Sequence, residues 1–247
     1  QVRRRRAGHV TSTAPWWAAA FGPDYEAVYA HRSDADADAE IAGILSGLGD
    51  GPVADACCGN GRHLAALRRR GKIALGFDFS ADLLRSAALR PAAAGRMTRA
   101  DVRAIPLAAN SFSAVLVLFT AFGYFDEADN ARTLAGLARL LTAGGSLILD
   151  LPEPQRLRAS LIEHSQRTSA GLHIDERRRL EGKRVIKEVR ITRPDGSTHA
   201  YTESVRLYDA AEMTRLATAA GLEVRACWPS LRGPTIDESR QVWWLGG

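Results

Sequence analysis

Between residues 53 and 64 the chain reads Val53-Ala54-Asp55-Ala56-Cys57-Cys58-Gly59-Asn60-Gly61-Arg62-His63-Leu64, a short strand running into Gly59-x-Gly61 and then a helix-forming run. Two glycines at a strand-to-helix turn let the backbone reverse tightly and let a ligand approach the main chain, as nucleotide-binding α/β sheets require. The flanking pattern repeats the strand-helix unit. A helix opens at Ser33-Asp34 with Ile41, Ile44, Leu45 and Leu48 at helical spacing and closes at Gly49, Gly51 and Pro52. After the glycine loop come a helix over 62–70, a strand over 73–77, a helix over 80–89, a weak strand over 96–100 and an apolar strand over 114–118. A helix over 130–141 then turns at Thr142-Ala143-Gly144-Gly145 into a strand over 146–151. This rhythm is that of a doubly wound, mostly parallel sheet.

The rhythm breaks at Pro152. Segments 173–180, 184–193 and 198–208 read as three antiparallel strands, the last two joined by the turn signal Pro194-Asp195-Gly196. The α/β pattern resumes at Asp209 with an Asp-x-x-Glu capping pattern to Glu212, a helix ending at Gly221, and strands over 222–227 and 241–245. The expected organisation is a disordered basic tail over 1–15, a core over 16–152, an inserted three-stranded antiparallel β lobe over 153–208 that covers the site, and a C-terminal helix and two strands over 209–247 completing a seven-stranded sheet. The aromatic stretch from Trp16 to Arg32 is expected to close over a ligand.

The chemistry follows from acids placed at strand ends. The third glycine of a dinucleotide fingerprint would fall at position 64, which is Leu, and Asp55 stands at the loop entrance. A pyrophosphate is repelled by that carboxylate, and an ammonium or sulfonium is favoured by it. Asp78 follows Gly59 by 19 residues, near where an acidic side chain accepts both ribose hydroxyls. Asp101-Val102 offers a carboxylate and a backbone N–H suited to the exocyclic amine and ring nitrogen of adenine. An Asp after a strand is individually more often a turn or cap residue. Three in succession behind a glycine loop point to an adenosine that carries positive charge.

On Asp55-Ala56-Cys57-Cys58-Gly59-Asn60-Gly61, Asp78, Asp101-Val102 and Leu141-Thr142-Ala143-Gly144-Gly145, the sequence resembles the class I S-adenosylmethionine-dependent methyltransferases, with their Rossmann-like fold. The resemblance covers residues 16–152 well and the C-terminal helix and strands loosely. It implies S-adenosyl-L-methionine as cofactor and S-adenosyl-L-homocysteine as product, with no metal. It places the methionine moiety on the Asp55 to Gly61 loop, the ribose on Asp78, and the adenine on Asp101 and Val102 with Phe79 along its face. Phe119 is implied as the floor beneath the cofactor, and Tyr29 and Arg32 as partners of the methionine carboxylate. One departure is that Phe112 is followed by Ser113 where the family usually has Asp.

The strand end Leu118-Phe119-Thr120-Ala121-Phe122-Gly123-Tyr124-Phe125 lacks the amide motif of exocyclic nucleobase methylation and the Pro-Cys of pyrimidine carbon methylation. A small organic acceptor, methylated on nitrogen or oxygen, is therefore expected. Displacement at a sulfonium disperses charge, so positioning in a dry pocket can carry much of the rate without a strong base. Tyr25, Tyr124, His199 and Tyr201 are candidates for the acceptor pocket, and no catalytic base is identified. Along the last lobe strand His199, Tyr201 and Glu203 share a face with Val205 and Leu207, so that face reads equally as pocket or packing. Cys57 and Cys58 read as inert buried thiols, His63 as a residue serving the helix start, and Arg177 to Arg179 as a solvated strand edge. Rival readings are a methyltransferase of RNA or protein and a catalytically silent cofactor-binding partner subunit.

The charge of +5 raises nucleic acid as a partner, but Arg3 to Arg6 and the segment 151–207 account for the excess and leave the rest mildly acidic. Arginine also outnumbers lysine 30 to 3, which reads as coding bias beside abundant alanine. Three cysteines without a C-x-x-C pair and the lack of an 18-residue apolar run imply a cytoplasmic protein, with the oligomeric state open and a homodimer among the options.

Overall fold

All four residues of β1 (Val53–Ala56) are buried, as a strand in the middle of a sheet must be. The computed structural model describes residues 15–247, so the tail expected over 1–15 lies, Pro15 apart, outside the described residues. β1 pairs in parallel with β2 (Ala74–Asp78) on one side and β4 (Phe112–Val117) on the other. β3 (Met97–Arg99) and β5 (Leu141–Pro152) continue the sheet in parallel. Beyond β5, β11 (Arg240–Gly246) pairs antiparallel with both β5 and the edge strand β10 (Glu223–Trp228). The order β3-β2-β1-β4-β5-β11-β10 reverses direction between β1 and β4. A crevice opens there above the carboxyl ends, where the connections leave to opposite faces.

The helices start where the caps are written. Ser33 and Asp36 form a reciprocal capping box on α3 (Asp34–Ile44), and Asp209 and Glu212 form another on α8 (Ala210–Ala219). The glycine loop feeds α4 (Arg62–Arg69), and Ser80 caps α5 (Ala81–Ala88). α6 (Glu127–Ala138) starts three residues before the Asn130 read from the apolar period, because the Asp126 side chain accepts from the Asp129 N–H. One sheet face buries Phe77, Val115, Leu134 and Leu137, and the other buries Ile41, Ile44, Leu64 and Leu67.

The second sheet is antiparallel, in the order β6-β7-β8-β9. Its strands β7 (Leu172–Glu181), β8 (Arg184–Thr192) and β9 (Thr198–Arg206) correspond to the three expected. β6 (His164–Ser169) is an additional fourth, whose His-Ser-Gln-Arg-Thr-Ser sequence has no apolar alternation to reveal it. β7 is consequently an interior strand, so Arg177 to Arg179 do not form the sheet edge. Arg178 instead pairs with Glu176, and Arg179 with Glu181 and Glu188. Two short N-terminal helices, α1 (Trp16–Ala20) and α2 (Tyr25–Val28), bridge the sheets. Ala20 and Val28 pack on Ile174, Val189, Ile191 and Tyr201 of the lobe. On the other side Glu26 accepts from Asn60 and Ser86, and the Phe21 carbonyl accepts from Ser80. α7 (Pro154–Ala159) leads from β5 into the lobe.

Candidate functional site

The crevice above β1, β2 and β4 holds a cavity floored by the glycine loop and roofed by Trp17, Phe21 and Tyr25 of the N-terminal segment. Gly59 and Gly61 have φ of +54° and +74°, and Gly61 is the N-cap of α4. A side chain at Gly61 would stand 3.0 Å from the Ala87 Cβ, so glycine serves both the turn and the packing of α4 on α5. Asp78 fixes the loop: its Oδ2 accepts from the Gly59 N–H at 2.9 Å and its Oδ1 from the Ser80 N–H at 2.7 Å. Burial pushes the Asp78 carboxyl above its ordinary value, against the pull of those backbone donors.

Asp55 lies beneath the loop, 1% exposed. Its Oδ2 has no hydrogen-bond partner among the described residues. Burial, opposed by Arg62 and reinforced by Asp78, raises its carboxyl to about 7. Asp101 lines the cavity but is engaged by Arg103, whose Nη2 donates to Oδ2 at 2.6 Å and holds the carboxyl below its ordinary range. The Arg103 guanidinium stacks 4.8 Å from the Phe125 ring centre, a partnership not legible from spacing alone. Val102 and Phe79 line the same cavity, Val102 buried and Phe79 exposed at the rim. Burial drives the Cys57 and Cys58 thiols well above their ordinary value, so both are inert.

Next to the glycine loop a buried carboxylate gathers cations. Glu40 accepts from Arg62 at 3.0 Å, contacts His63 Nε2 at 2.7 Å and pairs with Arg32 at 3.7 Å. Burial opposes its ionisation, but His63 and Arg62 hold its carboxyl down at about 2. Arg62 Nη2 is left buried without a partner, and the Arg32 guanidinium lies 4.0 Å over the Phe119 ring. His63 is thus tied to Glu40 rather than to solvent. This cluster, built by α3 and α4, was missed because its members are 22 and 23 residues apart with no motif linking them.

Phe21, Tyr25, Phe119 and Tyr124 form a wall shared with a second chamber, between the glycine-loop crevice and the lobe. Phe119 and Thr120 have φ of +57° and +62°, and Asp150 holds this turn by accepting from the Phe119 N–H at 2.7 Å. Arg184 donates to the carbonyls of Gly123, Tyr124 and Phe125, locking the loop to the lobe. Inside the chamber Tyr29 Oη donates to Glu203 at 3.2 Å, and Lys187 Nζ donates to Tyr29 Oη at 2.7 Å and pairs with Glu203 at 2.8 Å. Burial raises the Tyr25 hydroxyl to about 12 and those of Tyr29 and Tyr124 well above their ordinary value. All three remain phenols at neutral pH.

The expected residues divide between the two cavities. Gly59, Asp78, Phe79, Asp101, Val102 and Phe119 meet at the first, whereas Asp55, on β1, and Gly61, the N-cap of α4, are not among its lining residues. Tyr29 faces the second chamber, and Arg32 lies at neighbouring openings beside Phe119. Tyr25 and Tyr124 stand in the shared wall. His199 and Tyr201 line neither cavity: His199 Nε2 contacts the Ala19 carbonyl at 3.1 Å, and Tyr201 packs in the lobe core. The face they share with Glu203 is split by α1, which covers its first half and leaves Glu203 and Val205 open to the chamber. Lys187, Arg178 and Arg240 also line that chamber, the first two from β8 and β7 of the lobe sheet and the third from β11 of the core sheet.

Residues 53–145 match the family described as a methyltransferase domain. The chain is 33% identical over 110 residues to a demethylmenaquinone methyltransferase of Thermus thermophilus, a match covering 42% of this chain and 49% of that protein. It therefore spans about half the length of that curated relative. Among solved structures it is similar to the CcbJ methyltransferase of Streptomyces caelestis, with a TM-score of 0.77 at 17% identity over 92% of this chain and 97% of that one. It is also similar to the sugar N-methyltransferase KedS8 of a Streptoalloteichus species, with a TM-score of 0.70 at 21% identity over 100% and 98% of the two chains. Among the described residues no helix is long and apolar enough to cross a membrane. The matched segment carries the glycine loop and the strand-end acids, and over it the chain is similar to methyltransferases.

Proposed function

We propose that the protein transfers a methyl group from S-adenosyl-L-methionine to a nitrogen or oxygen of a small organic molecule held in the chamber between core and lobe. The observation that carries this reading is the shared aromatic wall, which sets a crevice with the glycine loop and acids against a second chamber. The crevice fits the cofactor. A buried acid with an orphan Oδ2, Asp55, and a guanidinium with an orphan Nη2, Arg62, complement an amino acid's ammonium and carboxylate. Asp78 retains lone pairs for ribose hydroxyls, and Asp101 with the Val102 N–H faces the adenine end. The bound cofactor supplies an electrophilic methyl on a sulfonium whose departure as a neutral thioether disperses charge.

The chain's own part is placement and exclusion of water. Trp17, Phe21 and Tyr25 close the crevice, and the phenols of Tyr25 and Tyr124, protonated at neutral pH, offer hydrogen bonds and ring faces rather than bases. A small acceptor is favoured over a macromolecule because the chamber lies beneath the lobe and the N-terminal helices. The similar solved structure described as a sugar N-methyltransferase adds weight to nitrogen. Calorimetric titration with S-adenosyl-L-homocysteine tests the cofactor half. Binding is expected, and Asp78→Ala should abolish it, since the substitution removes both the ribose acceptor and the restraint on Gly59. No binding by the wild type ends the reading. Labelled methyl transfer to a panel of amines, phenols and acids tests the acceptor half.

A further inference from the structure

Charge is sorted across the aromatic wall. On the crevice side Asp78 and Asp101 line the space, and the one arginine among the described lining residues, Arg62, gives Nη1 to Glu40 and keeps Nη2 free. On the chamber side the lining holds Arg178, Lys187 and Arg240 against the single carboxylate Glu203. The counter-ions of the two arginines, Glu176 and Asp150, are each 3% exposed and stand behind the guanidinium groups, away from the chamber. Arg240 donates Nε to Asp150 Oδ1 at 2.7 Å, and Nη2 to Thr120 Oγ1 at 3.0 Å and the Asp150 carbonyl at 3.1 Å. Its Nη1 has no hydrogen bond among the described residues, and Lys187, with three protons, uses two.

We propose that the acceptor carries an acidic group, a carboxylate or a phosphate, which Arg240 Nη1 and the free proton of Lys187 hold while the methyl-accepting atom points through the aromatic wall toward the crevice. This rests on the methyltransferase reading and names its substrate class. An oxyanion here gains two charge-assisted hydrogen bonds in a chamber walled by rings, where such bonds are stronger than in water. A permanently cationic acceptor finds only Glu203 among the described carboxylates lining the chamber, and that group is already paired with Lys187. Tyr29 and Glu203 hold the Lys187 ammonium in place, which makes them positioning residues for the oxyanion.

The test uses the full chain loaded with S-adenosyl-L-homocysteine, titrated calorimetrically with benzoate, phenyl phosphate, benzyl alcohol and benzylammonium. Benzoate or phenyl phosphate should bind at least about tenfold more tightly than the alcohol or the ammonium, and whichever acid binds better identifies the oxyanion. Lys187→Met and Arg240→Gln should each weaken that acid about tenfold and leave the alcohol unchanged. S-adenosyl-L-homocysteine affinity of each variant reports that it is folded. Equal binding of acid and alcohol, preference for the ammonium, or acid binding insensitive to both folded variants overturns the proposal. Failure of the wild type to bind S-adenosyl-L-homocysteine is a different result, refuting the methyltransferase reading itself.

Discussion

Asp55 should make cofactor binding pH-dependent near neutrality. Its carboxyl is fully buried and raised from an ordinary 3.8 to about 7, chiefly by burial. At pH 6 about nine-tenths of the empty protein therefore carries Asp55 neutral, and at pH 8 about nine-tenths carries it ionised. An ammonium settling beside it requires the ionised form, so affinity for S-adenosyl-L-homocysteine should rise about tenfold, or about 1.4 kcal/mol, from pH 6 to pH 8. Close to one proton should be released per ligand bound at pH 6, read by calorimetry in buffers of differing ionisation heat. The sign on stability is opposite. A carboxyl raised on folding stabilises the empty protein fully below about pH 4, and that stabilisation is lost as pH rises through 7. The loss corresponds to about 4 kcal/mol at most. Asp55→Asn should accordingly narrow the difference in melting between pH 5 and pH 8 while flattening the binding profile. A wild-type affinity that is flat from pH 6 to 8, with no proton released, would refute the assignment of Asp55 to the ligand's ammonium.

Glu40→Gln strips the shared partner from Arg32, Arg62 and His63, and breaking a buried ion pair costs about 3–5 kcal/mol, so melting should fall by roughly 10 °C. Because the Glu40 carboxyl is held down at about 2, its stabilisation is present above its ordinary 4.5 and lost as pH falls through 2; a variant as acid-labile as the wild type in that window would contradict this. Gly61→Ala forces a left-handed φ and a 3.0 Å approach to Ala87, and should cost about 1–3 kcal/mol in urea unfolding, an unchanged midpoint counting against it. Arg184→Ala frees the loop carrying Tyr124 and Phe125, so S-adenosyl-L-homocysteine affinity should fall several-fold along with stability. If melting drops and affinity does not, the loop is not coupled to the crevice.

The cofactor half of the protein was legible because its signals are local. A strand, two glycines and a capped helix lie within a dozen residues, and each strand-end acid follows its own strand, so the order of elements alone brings Asp55, Asp78 and Asp101 to one crevice. The seven-stranded sheet follows for the same reason, since buried parallel strands and amphipathic helices announce themselves by period. The acceptor half has no such property. β6 is polar throughout, His199 and Tyr201 are separated from Glu203 by the docking of α1, and Lys187 meets Tyr29 from 158 positions away in sequence. Alternation along β9 marks one face, and only the packing of α1 decides which part of that face is core and which is chamber. Likewise Arg178 and Arg240 look like surface charges in sequence, and it is the burial of Glu176 and Asp150 behind them that turns them inward. The sequence determined the crevice that carries the glycine loop and the strand-end acids, because backbone geometry and element order dictate it. Tertiary structure alone decided what faces that crevice, because the second chamber is assembled from long-range contacts between two sheets and the N-terminal helices.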